Sequence, residues 1–147
     1  MSDEKAVLSE FLAYQRESVE AIVAGLDEEA LGTAVLPSGW TPLGLIEHLG
    51  DAEMHWFQDV FTGSRVEGEA SSGLAFYREQ CRISDTVIAA ASLDTAPARR
   101  HESEPLASQT TDLRRIILHL IEETARHAGH LDAARELLDG RTGLGPR

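Results

Sequence analysis

The sequence is short of cysteine, of basic residues and of long apolar runs, and each shortage excludes a class of protein. Cys81 is the only cysteine, so no internal disulfide can form. That excludes a disulfide-stapled secreted domain and makes a reducing compartment the simplest setting. Lys and Arg together number 13 against 25 Asp and Glu, giving a formal charge of -12. Binding to nucleic acid rests on cationic contacts to phosphate, and docking on an anionic membrane needs a basic patch. The charge balance argues against both. No run of about 18 uninterrupted apolar residues occurs, so no membrane-spanning helix is expected. The start, Met1–Lys5, is polar and acidic and lacks the basic and then apolar regions of a secretory leader. Sustained strand alternation, internal repeats and low-complexity tracts are missing too. A soluble, cytoplasmic protein is the expectation.

What is present is the composition of a globular chain, 42% apolar and 26% charged over 147 residues. That length fits one domain, residues 1–147, with a frayed tail from about 141. Four segments carry helical periodicity. In the first, Asp3–Leu26, the stripe is Leu8, Leu12, Gln15, Val19, Ile22 and Leu26, and Asp27 then caps a short turn to Leu31. The second spans Pro42–Phe61, with Thr41 as N-cap and Pro42 at the first helical position, where its missing N–H costs nothing. The third spans Leu74–Ala91 with the stripe Leu74, Tyr77, Cys81, Ser84, Ile88 and Ala91. The fourth spans Asp112–Leu138 and is closed by Gly140. The long connection 92–111 is polar and contains Pro97 and Pro105, as loops that cross between helices or carry function do. The pattern predicts an all-α fold: an antiparallel four-helix bundle with long crossover connections.

Two helices break their own apolar pattern. On the fourth, the stripe reads Leu113, Ile117, Leu120, Thr124, His127, Leu131, Ala134 and Leu138, so His127 stands where an apolar residue is due. Glu123 lies one turn earlier and His130 about one turn later, within roughly 5–6 Å at Cβ along one face. On the second, Leu45, His48, Ala52, His55 and Asp59 share a line, which sets His48 near the inward face. Two ligands from one helix and one from another make a three-ligand metal site with an open position. The alternatives are a hydrogen-bonded core histidine, a Glu123 paired with Arg126 or Arg115 on the surface, and a solvated His130. An unpaired buried carboxylate is costly, which weighs towards a partner for Glu123.

Other residues carry weaker signals. Cys81 reads as a small buried hydrophobe, and Trp40 and Trp56 as packing residues. Asp51 and His55 are candidates for orienting ligands, or plain surface. Arg99, Arg100 and Arg114 are candidate contacts for an anionic substrate, or solvated charge.

The stretch Ser38-Gly39-Trp40-Thr41-Pro42-Leu43-Gly44-Leu45-Ile46-Glu47-His48-Leu49, with His55-Trp56-Phe57 after it, resembles the DinB-like superfamily of metal-dependent helical bundles. So does Glu122-Glu123-Thr124-Ala125-Arg126-His127-Ala128-Gly129-His130-Leu131-Asp132. The likeness covers nearly the whole chain and is greatest to the mycothiol-dependent transferases of actinobacteria. It implies a four-helix bundle holding a divalent metal, often zinc or nickel, near one end. His48 matches the histidine ligand of the second helix. Glu123 and His127 match the ligand pair of the last helix in its Glu-then-His form, as in mycothiol-dependent maleylpyruvate isomerases. The extra domain of those isomerases is not in this sequence, so transfer is expected rather than isomerisation.

The resemblance further implies a low-molecular-weight thiol, mycothiol, whose sulfur takes the open metal position and attacks a small electrophile in detoxification or stress response. His130 and His55 are the candidate proton carriers, and His130 is the alternative ligand. A homodimer is expected. The other reading of the same fold is a metal-binding stress or sensor protein without turnover.

Overall fold

The computed structural model describes residues 3–146. Among them every regular element is helical: α1 Glu4–Val23, α2 Glu28–Leu31, α3 Pro42–Met54, α4 Gly73–Ala90, α5 Leu106–Gln109 and α6 Leu113–Asp139. Three of the helix caps follow from the sequence. Asp3, Thr41 and Asp112 each accept a backbone N–H of the first turn of α1, α3 and α6, satisfying donors that the helix leaves unpaired. Gly140 closes α6 in the left-handed region at φ 77°, a conformation that glycine adopts without a Cβ penalty. α1 stops at Val23 rather than Leu26, because Gly25 turns left-handed at φ 80°.

The second long helix does not keep one geometry. After Met54 it continues as a π-helical segment, His55–Thr62. Such segments are rare and cluster at functional sites, and this one begins at a histidine beside the candidate site. The long connection also contains α5, which the sequence pattern does not mark.

Helix direction follows from the contacts. Glu4 meets Arg114 and the Ile22 carbonyl meets Arg135, so α1 and α6 run parallel. Glu47 meets Gly73 and Glu53 meets Cys81, so α3 and α4 run parallel as well. The two pairs oppose each other: Lys5 reaches Ile88 while Glu20 reaches Arg78. The expected antiparallel bundle is therefore up-down-down-up. The crossover is the segment 63–72, which returns along α3, anchored by Arg65 on Asp59 and by Val66 N–H on Gln58 Oε1. Ten residues reach about 33 Å when extended, enough to retrace the roughly 22 Å of helix from residue 62 to residue 47.

Two apolar clusters make the core. Leu12, Phe57, Leu113, Ile117 and Leu120 belong to one, and Val19, Leu45, Leu49, Tyr77 and Leu131 to the other. Between them each long helix contributes a polar residue: Arg16, Glu53, Gln80, Ser84 and Thr124 are all buried. Arg16 grips both oxygens of Glu53 at 2.7 Å and reaches Asp85 at 2.7 Å. This buried ion pair lies outside the stripes read from the sequence.

Candidate metal centre

The capped start of α3 holds its second turn against the middle of α6, and the candidate site forms there. His48 Nε2 lies 2.9 Å from Glu123 Oε1, and His127 Nε2 lies 3.2 Å from the same oxygen. One donor atom from each residue falls within 4.8 Å of the other two, an arrangement found only here among the described residues. Glu123 thus faces neither Arg126 nor Arg115. The site sits level with the centre of the 27-residue α6 rather than at a bundle end, because α6 runs past the site in both directions.

Exposure grades from His48 at 37% of its side chain through Glu123 at 24% to His127 at 12%. The site is therefore half-buried and open on one side. Burial pushes the Glu123 carboxyl up. The hydrogen bond with His48 and the nearby His127 and His48 outweigh it, so its pKa falls below the ordinary value. For His127, burial lowers the pKa, Glu123 opposes, and His48 and His130 add to the lowering. At neutral pH the site is then a carboxylate with neutral imidazole at His127, and neutral imidazole is the ligand form. Two imidazole nitrogens and one carboxylate oxygen aimed at a common point fit a divalent cation of intermediate softness.

The surrounding residues extend this pattern. His130 Nδ1 stands 3.1 Å from His127 Nδ1. A hydrogen shared there leaves the Nε2 lone pair of His127 free when His127 is the donor, the usual way an outer residue fixes a ligand tautomer. His130 is not among the converging donors. Trp40, expected as a packing residue, instead lies over the site, with its ring centroid 5.5 Å from that of His48 and 6.2 Å from that of His127.

A cleft of about 310 Å³ opens beside the cluster, lined by His48, His55, Trp56, His101, His119 and Glu123 among others. All six histidines of the chain are thus gathered at or beside this face. His101 stacks on Trp56 at 4.9 Å and 13° between planes, and His119 meets the same indole at 4.7 Å. His55 Nε2 is buried without a hydrogen-bond partner, and its Nδ1 is 3.7 Å from Asp59. Burial first, then His101, holds the His55 pKa below the usual imidazole value, and burial does the same for His119.

His119 has a signal that pattern-reading missed, since it precedes Glu123 by four residues on one helix. His101 has none, because it lies on an aperiodic loop. Of the remaining sequence candidates, Asp51 lines the cleft but makes no hydrogen bond to the three converging residues. Arg114 is held by Glu4 and Asp94, Arg100 by Glu104, and Arg99 turns to the Gly63 carbonyl. None of these three reaches the cleft. Cys81 is half-buried, with Sγ 3.8 Å from Glu53 Oε1.

The mycothiol-S-transferase family model matches residues 7–73 and 65–140. The chain belongs to this family, which is DinB-like. Both halves of the cluster fall inside the match, His48 in the first stretch and Glu123 with His127 in the second. Among curated proteins and solved structures, none matches the chain. No helix among the described residues is long and apolar enough to cross a membrane.

Proposed function

We propose that this member of the mycothiol-S-transferase family joins the sulfur of mycothiol to a small electrophile, with a divalent ion held by His48, Glu123 and His127. The observation that carries the reading is the convergence of those three side chains within 4.8 Å. Zinc suits two imidazoles and a carboxylate in a tetrahedral set, and nickel is the second choice. When bound, such an ion supplies Lewis acidity that lowers the pKa of a thiol at its open position. One carboxylate leaves a divalent ion with about one net positive charge, which favours an anionic sulfur over a neutral one.

The chain's own residues do the rest. His130 holds the His127 ring in register through the Nδ1 contact, which leaves it poorly placed as a proton carrier. His55 is better placed, because it lines the cleft with a neutral ring. It would take the thiol proton first, and the electron pair of the resulting thiolate then forms the S–C bond. The proton then goes to the departing group in a displacement, or to the neighbouring carbon in an addition. Trp40 and Trp56 flank the site and limit water, whose attack is the rival reaction.

Detoxification or stress response in the cytoplasm is the setting this reading supports. The exposed edge-to-face pair Phe11 and Tyr14 on α1 supports a homodimer, which light scattering tests. For the site, the test is His48→Ala, with metal content measured by elemental analysis and thiol consumption measured with mycothiol and a reactive electrophile. Both should fall together. Full turnover by metal-stripped protein would refute the reading, and metal retention with no thiol consumption would favour a sensor.

A further inference from the structure

A second hollow, of about 380 Å³, adjoins the cleft and shares His119 with it. Its walls are Gln109 and Thr110 from the end of α5 and Arg115, Leu118, His119 and Glu122 from α6. The proposed function has no use for it. Its polar side chains, moreover, are not tied up by one another. Arg115 makes no ion pair among the described residues, whereas its neighbour Arg114 is bound by Glu4 and Asp94. The Glu122 carboxylate lines the same hollow without meeting Arg115 within 4.0 Å, and the Gln109 amide has no side-chain hydrogen bond among the described residues. The Thr110 hydroxyl donates to the Leu106 carbonyl and keeps its acceptor capacity.

The charges decide the ligand class. One guanidinium and one carboxylate cancel, so the hollow offers no net attraction to an anion. It offers donors from Arg115 and Gln109 and acceptors from Glu122, Gln109 and Thr110. The Leu118 side chain adds an apolar surface that stands 43% exposed. Interspersed donors and acceptors around an apolar surface suit a neutral polyhydroxylated group, whose hydroxyls both give and take hydrogen bonds while its C–H face lies on carbon. The spacing suits a tail joined to a reactive head. Arg115, His119 and Glu123 follow at four-residue intervals, so Arg115 lies about 12 Å along α6 from the metal ligand Glu123.

We infer that this hollow is the subsite for the sugar portion of the thiol cosubstrate, with Arg115, Gln109 and Glu122 as its hydrogen-bonding residues. The inference rests on the thiol-transferase reading and assigns the half of the ligand which that reading leaves unplaced. Its test measures binding to the metal-loaded protein by calorimetry with three probes: mycothiol, N-acetylcysteine as the same thiol without sugars, and thiol-free N-acetylglucosaminyl-inositol. Arg115 is exposed, so Arg115→Ala should fold normally. It should weaken mycothiol about tenfold, the size of one hydrogen bond to a charged group, and N-acetylcysteine less than twofold. The thiol-free sugar should bind wild type, compete with mycothiol and lose affinity in the same variant. Gln109→Ala should repeat the effect at smaller size. Equal weakening of both thiols, or of neither, would overturn the subsite while leaving the transferase reading intact. Failure of wild type to bind either thiol would remove both.

Discussion

Two carboxylates of this bundle stand in opposite conditions. Glu53 is 1% exposed, and both its oxygens receive a guanidinium N–H of Arg16. Glu123 is partly open, and one of its oxygens meets two imidazole nitrogens, with no guanidinium or ammonium within 4.0 Å among the described residues. The first is satisfied by the protein alone, which marks it as structural. The second is a charge with unfinished coordination, which marks it as a place for a cation. Burial depth alone would have ranked them the other way. Both carboxylates lie between the same two apolar clusters, so what separates them is the partner and its geometry.

Breaking each pair should sharpen that contrast. Glu53→Ala leaves the Arg16 charge buried, and loss of one member of a buried pair costs about 3 kcal/mol, at the low end because Asp85 still reaches Arg16. Urea unfolding at pH 7 should show that loss. In the metal-free protein Glu123→Ala should change stability by under about 1 kcal/mol, as exposed pairs do, while abolishing metal binding. Equal destabilisation by both substitutions would erase the distinction.

A smaller effect is expected one layer out. His130→Ala should weaken metal about 10–100-fold, the usual range for residues that orient a ligand, measured by competition with a chromogenic chelator. Unchanged affinity would mean that the Nδ1 contact does not fix His127.

The pH response sharpens the comparison from the other side. His55 and His119 have pKa values below their unfolded value of 6.5. The unfolded chain therefore binds more protons between the folded and unfolded values, and stability rises with pH across that window. Metal-free protein should thus lose stability as pH falls below about 6.5, followed by the urea midpoint. Glu123, also lowered, adds to the loss below the ordinary carboxylate value. A His55→Asn, His119→Asn double variant should reduce the slope near pH 6, and His127, also lowered, accounts for what remains. A midpoint independent of pH between 7 and 5.5 would contradict this.

How much of this could be read from residues differs by kind. Helix positions were close, because Thr41, Pro42, Asp112 and Gly140 act locally and the apolar stripes are long. The cluster was readable because His127 interrupts an otherwise apolar stripe and Glu123 stands one turn before it. Helix direction was not, since parallel pairs depend on the path of segment 63–72, and loops carry no periodicity. The Arg16–Glu53 pair was hidden for the same reason that it is stable: each residue looks like surface until the other arrives from a distant helix. His101 reaches the cleft only through tertiary folding of its loop. Trp40 looked like a packing residue because nothing local tells an indole over a metal site from one over leucines.

The smallest effect expected is at Cys81, which borders the structural carboxylate. Its Sγ lies 3.8 Å from Glu53 Oε1, in the groove between α1 and α4. Burial pushes the thiol pKa up, and the Glu53 charge pushes it further. A thiol so held stays protonated at neutral pH, and the protonated form is not a nucleophile. Sulfur for transfer must then come from the cosubstrate. Cys81→Ser places a better donor beside Glu53 and removes little volume, so stability should move by less than about 1 kcal/mol. Turnover with mycothiol should stay within twofold, and metal content should match wild type. A large loss of turnover in this variant, with metal retained, would put the protein's own sulfur into the reaction and break the division between structural and functional carboxylate.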